Sequence, residues 1–596
     1  MITPPSASPR FSRRTLGEFL ALSALCVVAY GIGLADHGVT NWQEGIRLLA
    51  AREMQISGAW AVPTIHGEPY LAKPPMIYWA QLGLARLASD PVSLVHLRLT
   101  VALAGWAGVI STWWAARRLL RDDAQPDPAA EGGDAWADRA AFWAAAMLAT
   151  GILVARSSRI GELDILLVAP TSLAILGAFE ALRSAREGRA AHAWAWTLLA
   201  CLAIAFASLS KGPPGMLTAL VAILGGCWAE AARGRAIGSR GKWAIAATAV
   251  ASAVLLTIFR MPGTLKDAAG LVLFIAFACT IAAMAARIAT RASVRAFARN
   301  TLRSRWPLVV VVGFLALAAW GRFVSAAAPD AASAAVSKEL AENLSPLVAE
   351  APVRGLEVLA YGAGLGSICA IIGLIWILRD RPRLPTGMLW VFAWIVGAWI
   401  VFTVGGRGTH RYLVPALPGV AILGGAWLAS WLRDRASRVA SAIAAAAIVA
   451  LALTHAWWYG AGRDRYFAGR SPRDFVAELA QRAEFAGAPV ATWEFWKPGI
   501  EVYADVPIEM ISDRPHPMEY PRPPVPRDDV RERIASRGGR CIILARGQAT
   551  TRGSGITPTE EIRALGFEVR DLDIAAPYLI DRDRVSIVAL EVRVSR

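Results

Sequence analysis

Long apolar stretches, separated by short polar segments, occupy the first three quarters of the chain. A helix needs about 20 mostly apolar residues to cross a bilayer. Thirteen stretches meet this requirement, so the pattern predicts an α-helical polytopic membrane protein with about 13 transmembrane helices. The predicted spans lie near residues 16–36, 95–116, 139–155, 164–182, 193–210, 213–231, 243–259, 268–286, 307–327, 356–378, 387–404, 412–432 and 439–457.

The pattern changes after about residue 457, where polar residues become frequent and short alternating runs replace the apolar stretches. Three runs have the composition of β-strands, namely 490–493, 541–544 and 585–592. Two others have helical periodicity, namely 528–536 and 558–565, and a proline-rich loop covers 514–527. The sequence therefore predicts a transmembrane domain over 1–457, with a first outer loop at 37–94 that carries an amphipathic helix, and a small α/β domain over 458–596.

Arginine and lysine residues are concentrated in every second loop between the predicted spans. The clusters lie at 117–121, 183–189, 233–242, 287–305, 379–383 and 433–438. Because cytoplasmic loops are enriched in these residues, the N-terminus is predicted to be cytoplasmic and the C-terminal domain extracytoplasmic. This topology accounts for the net charge of +16 without nucleic acid, and the location it indicates is a bacterial inner (plasma) membrane. The six cysteines have neither disulfide nor metal-ligand spacing.

Two lysines on the predicted outer side stand directly before the start of a helix. Lys73 precedes Pro74 and Pro75, and proline is favoured in the first turn of a helix, so a helix should begin near Met76. Lys211 has the same setting, since Gly212 and two prolines follow it. A lysine beside a helix N-terminus is suited to phosphate binding. Contact with lipid headgroups is the alternative explanation for both lysines.

Further charged residues share this predicted side of the membrane. Glu44 lies at the start of the amphipathic helix, Arg159 and Asp164 lie in the loop before the fourth span, and His410 and Arg411 lie before the twelfth. Charges at or near membrane depth are costly and are usually functional. Capping of their own helices is the simpler alternative for Glu44 and Asp164, and anchoring of a helix end is the alternative for His410 and Arg411.

Several of these residues stand in motifs that follow one another in order along the chain. The motifs are Gln43-Glu44, Ala51-Arg52-Glu53-Met54, Gly67-x-Pro69-Tyr70, Lys73-Pro-Pro-x-x-Tyr78-Trp79, Leu163-Asp164, Ser210-Lys211-Gly212 and Arg411-Tyr412-Leu413-x-Pro415. In this order they resemble the polytopic transferases that include lipid A aminoarabinose transferase and the protein O-mannosyltransferases, which share the membrane-embedded fold called GT-C. The resemblance covers roughly residues 16 to 430.

Two positions depart from the pattern of this family. Family members usually carry aspartate at the position of Gln43, and that aspartate is the favoured catalytic carboxylate, so the resemblance leaves Glu44 first and Asp164 second as the catalytic base. Many relatives also carry a glutamate, implicated in metal binding, at the position of Ala72. Because Ala72 cannot bind a metal, no metal ligand is predicted, and no other cofactor is predicted either. A divalent cation stays an open alternative.

The resemblance implies a glycosyltransferase whose donor is a hexosyl or pentosyl polyprenyl phosphate and whose acceptor is a lipid, glycan or protein. Lys73, Lys211, Arg159 and Arg411 would bind the donor phosphate and stabilise it as it leaves. The carboxylate would accept the proton of the acceptor hydroxyl, and a single displacement would invert the anomeric centre. The remaining predicted substrate-binding residues are Arg47, His410 and Tyr78. A transporter or flippase of lipid-linked substrates, and a non-catalytic assembly or sensor protein, are the alternatives from other classes.

Overall fold

The computed structural model describes residues 12–39, 41–121, 133–232, 291–334, 351–380, 384–404, 409–435, 438–467, 472–482, 485, 487–505, 507–513, 522–547, 556–574, 579–580 and 585–594. The chain divides into two compact units, each assembled from two separate stretches. The first unit comprises residues 1–32 and 101–456, and the second comprises residues 33–100 and 457–596. Two predicted spans, 243–259 and 268–286, lie outside the described residues, as does most of the proline-rich loop.

Helices make up most of the described chain. In order they are α1 Arg13–Cys26, α2 Trp42–Ser57, α3 Met76–Ala88, α4 Leu94–Leu120, α5 Gly133–Ala149, α6 Ile152–Ser157, α7 Val168–Arg186, α8 Ala190–Lys211, α9 Pro213–Ala231, α10 Arg291–Arg303, α11 Trp306–Ala327, α12 Ala351–Tyr361, α13 Leu365–Asp380, α14 Thr386–Val404, α15 Leu417–Arg435, α16 Arg438–Trp457, α17 Arg463–Phe467, α18 Pro472–Ala480, α19 Pro498–Ala504, α20 Val530–Ala535 and α21 Pro558–Ala564. Short 3-10 helices cover Leu163–Leu167, His410–Ala416 and Arg527–Asp529, and π-helical turns follow α1 at Val27–Gly31 and α16 at Trp458–Gly462.

Nine of the described helical segments are long and apolar enough to cross a membrane, and there are ten if α12 and α13, bent by 100° at the break between them, count as one span. They correspond to ten of the predicted spans. The predicted third span, 139–155, is divided instead between α5 and α6. The break falls where Gly151 has extended backbone (φ −64°, ψ 135°), which does not continue a helix.

The spans of the first unit differ strongly in how far they are enclosed by protein. Within the apolar 18-residue stretch of each span, 89% of the residues are buried in Leu163–Arg186 and 94% in His410–Arg433. The corresponding share in Trp306–Ala327 is only 17%. The first two are therefore central and the third faces outwards. Residues at the beginnings of the two central segments, Asp164 and Arg411, are thus held by the most enclosed helices of the unit.

The second unit contains a six-stranded sheet, which confirms the predicted C-terminal α/β pattern. Its principal strand order is β4-β3-β5-β8-β6, with β3 parallel to β4 and β5, with β8 antiparallel to β5 and β6, and with the short β7 also paired to β8. A separate two-stranded hairpin of β1 and β2 lies in the first outer loop. The strands are β1 Thr64–Ile65, β2 Glu68–Pro69, β3 Val490–Trp493, β4 Glu509–Ile511, β5 Arg540–Arg546, β6 Phe567–Asp571, β7 Leu579–Ile580 and β8 Val585–Val594.

Alternate residues of the central strands enter two different apolar cores, because successive side chains of a strand point to opposite faces of the sheet. On β5, Cys541 and Ile543 belong to one core, which is closed by α20 and α21, and Ile542 belongs to the other. Both faces of the sheet are therefore covered, as the continuous apolar run of this strand requires.

Within the second unit, helix α2 of the first outer loop packs closely on α19 of the C-terminal region. A Cβ atom added to Gly45 would lie 2.9 Å from the backbone nitrogen of Gly499, so only glycine permits this approach. Beside it, the rings of Trp42 and Trp496 meet edge to face with their centroids 5.1 Å apart. The loop and the tail are consequently parts of one folded body.

Cys541 is expected to be chemically inert in the folded protein. Burial raises the pKa of its thiol from 9.0 to about 12, and the thiolate is the reactive form. At pH 8 we expect alkylation of Cys541 by iodoacetamide to be about 1,000-fold slower than in the unfolded chain from ionisation alone. Peptide mass spectrometry, with the protein in guanidinium chloride as the control, measures this ratio. Rapid labelling of the native protein would contradict it.

Candidate functional site

Glu44 forms a buried ion pair with Arg98, four residues into α4. The Nε and Nη2 atoms of Arg98 donate to the two carboxylate oxygens at 2.7 and 3.2 Å, and neither side chain has any exposed surface. Arg98 also donates to the carbonyl oxygens of Leu34, His37 and Gly38 at 2.7 to 3.1 Å. All five N–H donors of the guanidinium are therefore used, and the pair fixes the chain that leads into α2.

Gln43, which occupies the position of the family's aspartate, contacts the next candidate residue. Arg47 donates from Nη2 to Gln43 Oε1 at 2.7 Å, one turn along α2, and Arg47 is almost fully buried. The other two candidates of this loop lie at the start of α3. Tyr78 is buried, and Lys73 is half-buried in the segment before the Pro75 cap, so α3 begins at Met76 as predicted.

In the first unit, Asp164 lies between two cationic side chains. Lys211 Nζ contacts Asp164 Oδ1, and Arg411 Nε lies 3.5 Å from Asp164 Oδ2. The ammonium group of Lys211 also lies 3.6 Å from the centroid of the Tyr412 ring, a favourable cation–π contact. These four residues, Asp164, Lys211, Arg411 and Tyr412, are called the Asp164 centre below.

Local backbone structure brings the members of the Asp164 centre together. Asp164 is the second residue of a 3-10 helix, and Arg411 and Tyr412 are the second and third residues of another. Lys211 is the last residue of α8, and Gly212 then turns the chain with φ 72° and ψ −155° so that α9 can start at Pro213. This backbone conformation is available to glycine and strained for other residues.

The charge balance of the Asp164 centre favours an anion. Two cations surround one carboxylate, so the formal charge of these side chains together is +1. The side chain of Asp164 is almost fully buried, whereas the side chain of Lys211 is 9% exposed and that of Arg411 is 24% exposed. Arg411 can therefore be reached from outside, and the attraction of both cations for an anion is strengthened by the poorly solvated surroundings.

Two other candidate residues of the first unit make different contacts. Arg159 is fully buried and donates to the carbonyl oxygens of Ala29 and Ile32, at 2.9 and 2.5 Å. These carbonyls end the first span, where a cation complements the helix dipole. His410 is exposed, and its Nδ1 lies 3.0 Å from the hydroxyl oxygen of Tyr361. The structure thus groups Asp164, Lys211 and Arg411, while Arg159 and His410 have these separate partners.

A buried histidine–carboxylate contact in the second unit was not anticipated from the sequence. His66, on the turn of the β1–β2 hairpin, contacts Glu501 of α19 through Nε2. Glu501 also accepts hydrogen bonds from Trp496 Nε1 at 2.8 Å and from the backbone N–H of Ile508 at 3.0 Å. The hairpin is also held by Glu53, which accepts from its backbone N–H groups. In the part of the chain that the structure describes, no three histidine, cysteine, aspartate or glutamate side chains are grouped as metal ligands.

Comparison with known proteins agrees with this architecture. The sequence model of the dolichyl-phosphate-mannose-protein mannosyltransferase family matches residues 20–266, which is less than half of the chain. No curated protein sequence matches significantly. The crystal structure of ArnT from Cupriavidus metallidurans bound to undecaprenyl phosphate is similar in fold, with a TM-score of 0.59 and 17% identity over 96% of this chain and 98% of that one. Its apo form gives a TM-score of 0.58 and 16% identity over 97% and 98%.

The fold and the family match confirm the class predicted from the sequence. The chain is a multi-pass membrane protein with the fold of these ArnT structures, and its first part matches the model of a glycosyltransferase family.

Proposed function

We propose that this enzyme transfers a hexosyl or pentosyl group from a polyprenyl phosphate to a lipid, glycan or protein acceptor at the outer face of a bacterial inner membrane. The observation that carries the proposal is the Asp164 centre, in which Lys211 and Arg411 are both directed at one buried carboxylate. A monoanionic phosphodiester on a lipid tail needs cations at the end of a membrane span, and both residues have that position.

The donor phosphate binds by exchange of ion-pair partners. In the structure, Lys211 and Arg411 are paired with Asp164. An arriving phosphate accepts hydrogen bonds from both cations, which stabilise the charge that develops when the phosphate leaves the sugar. Lys73, in the second unit beside the first turn of α3, is a separate proposed phosphate-binding residue, because the N–H groups at a helix start also favour anions.

Asp164 is the proposed general base. Once the phosphate engages the two cations, the carboxylate is free to accept the proton of the acceptor hydroxyl as the new glycosidic bond forms. The bond from the anomeric carbon to the phosphate oxygen breaks in the same displacement, so the configuration inverts. Glu44 is the weaker candidate, because Arg98 occupies both of its oxygens and no surface of the pair is exposed.

Binding of undecaprenyl phosphate tests the donor site without knowledge of the acceptor. In titrations of purified protein followed by intrinsic tryptophan fluorescence, we expect Lys211→Ala and Arg411→Gln each to weaken binding about 10- to 100-fold, the value of a charge-assisted hydrogen bond. Lys73→Ala is expected to weaken it in the same direction. Arg379→Gln, at a side chain 84% exposed, is the control and should bind as the wild type does. Unchanged affinity in both Lys211→Ala and Arg411→Gln would refute the phosphate site.

The identity of the sugar is tested separately by transfer assays. Wild-type enzyme with a panel of pentosyl and hexosyl undecaprenyl phosphates, and with membrane extract as the acceptor, is expected to release undecaprenyl phosphate from one class of donor. Mass spectrometry of the extract then identifies the acceptor. Release from none of the donors would contradict the proposed reaction even if the lipid phosphate bound.

A further inference from the structure

Helix α10 lies along the first unit and is held by polar contacts on one face. Asn300 donates from Nδ2 to the carbonyl oxygen of Cys227 near the end of α9 at 3.1 Å. Arg186, the last residue of α7, donates from Nη2 to Asn300 Oδ1 at 2.9 Å. The Phe297 ring also meets the Trp228 ring edge to face. This side of α10 is therefore fixed against the ends of two membrane spans.

The opposite side of α10 carries two parallel rows of exposed residues. Arg295, Arg299 and Arg303 are exposed and recur every four residues, so they form one row along the helix. Val294 and Leu302, which are 49% and 67% exposed, belong to an adjacent row on the same outer side. A helix with a basic row beside an apolar row has the composition of helices that lie in a membrane interface.

Aromatic–cation contacts mark the level of the membrane at which α10 lies. Arg305, between α10 and α11, stacks 4.1 Å from the ring centroid of Trp194 near the start of α8. At the end of α4, Arg118 lies 5.6 Å from the ring centroid of Trp196. Tryptophan is enriched at membrane–water interfaces, where its ring is apolar and its N–H is polar. The two tryptophan contacts therefore indicate a headgroup level, and α10 ends directly beside it.

We propose that α10 is a binding surface for anionic phospholipids in the leaflet on the predicted cytoplasmic side. Arg295, Arg299 and Arg303 bind lipid phosphates, for which the planar guanidinium offers paired donors. Val294 and Leu302 enter the upper acyl region. An acidic protein or a nucleic acid would match the arginines but would leave this apolar row in water, so a lipid surface is the occupant that satisfies both rows. This inference is independent of the sugar-transfer proposal.

Native mass spectrometry of the full-length protein with added phosphatidylglycerol or phosphatidylcholine tests the surface. We expect the wild type to bind phosphatidylglycerol preferentially. The double variant Arg299→Gln with Arg303→Gln should bind it roughly 20-fold more weakly, from the contribution of each basic residue near an anionic surface. The matched control is Arg379→Gln with Arg438→Gln, two exposed arginines on other helices that give the same change in net charge.

Two outcomes would overturn the proposal. Equal affinity of the wild type for the two lipids would exclude recognition of anionic headgroups. If the control variant lost as much affinity for phosphatidylglycerol, the binding would be explained by the net charge of the protein and not by a surface on α10. If the glutamine variant fails to fold, Arg299→Lys with Arg303→Lys keeps the charges. It should bind phosphatidylglycerol within about threefold of the wild type, because much of the attraction is electrostatic, whereas a 20-fold loss would again refute the proposal.

Discussion

Asp164→Asn is expected to lower kcat for sugar transfer by about 10²- to 10⁴-fold, the usual contribution of a general base. Asparagine has the same shape but cannot accept the proton. The same substitution removes the carboxylate that competes with phosphate for Lys211 and Arg411, so undecaprenyl phosphate should bind at least as tightly as to the wild type. Asp164→Asn should therefore lower turnover without weakening the binding of undecaprenyl phosphate, whereas Lys211→Ala should weaken that binding. The transfer assay measures turnover, and the fluorescence titration measures binding.

The control for Asp164→Asn is Asp505→Asn, at a carboxylate 92% exposed, which should change neither quantity. Thermal unfolding should show Asp164→Asn to be folded, since Arg411 keeps access to solvent and Lys211 keeps its contact with the Tyr412 ring. Weaker binding of undecaprenyl phosphate by Asp164→Asn would mean that the carboxylate organises the cations instead of competing for them. Full turnover would exclude Asp164 as the base.

Glu44→Gln is expected to lower the free energy of unfolding by about 3–5 kcal/mol, the cost of removing one partner of a buried ion pair. The guanidinium of Arg98 would then stay buried with its charge uncompensated, because its other acceptors are the neutral carbonyls of Leu34, His37 and Gly38. Thermal or denaturant unfolding of the purified protein measures the loss.

Glu68→Gln is the matched control, since Glu68 is an exposed glutamate of the same outer loop. Its stability and activity should equal those of the wild type. If Glu44→Gln instead abolished turnover at unchanged stability, Glu44 would be the catalytic base and the assignment to Asp164 would be wrong. The two variants, Glu44→Gln and Asp164→Asn, therefore distinguish the two carboxylates through different measurements.

Much of the fold is encoded locally and could be predicted from the sequence. Apolar length fixes a span by itself, and alternating residues fix strands such as β3, which has the predicted bounds. The prolines after Lys73 and Lys211 fix the starts of α3 and α9. The break at Gly151 was missed because an isolated glycine in an apolar run is compatible with an unbroken helix.

The pairings within the candidate site could not be predicted, because they join residues distant in sequence. Arg98 lies 54 residues from Glu44, and no local motif connects them. One signal was present: an arginine inside the predicted span 95–116 is costly without a partner, so a buried acid had to exist. His66 and Glu501 are 435 residues apart, and here a lone histidine in a loop gave no comparable signal.

The division of the second unit between two distant stretches of chain has a consequence for biosynthesis. Residues 33–100 are made early, but their folding partners, residues 457–596, are made only after roughly 350 further residues. At about 5–20 residues per second, the early loop waits on the order of half a minute for the tail. During that interval the surface of α2 around Gly45 lacks the helix that covers it in the finished protein. Ribosomes stalled before the tail should therefore carry chains in which residues 33–100 are sensitive to protease, and protection should arise only when residues 457–596 have been made.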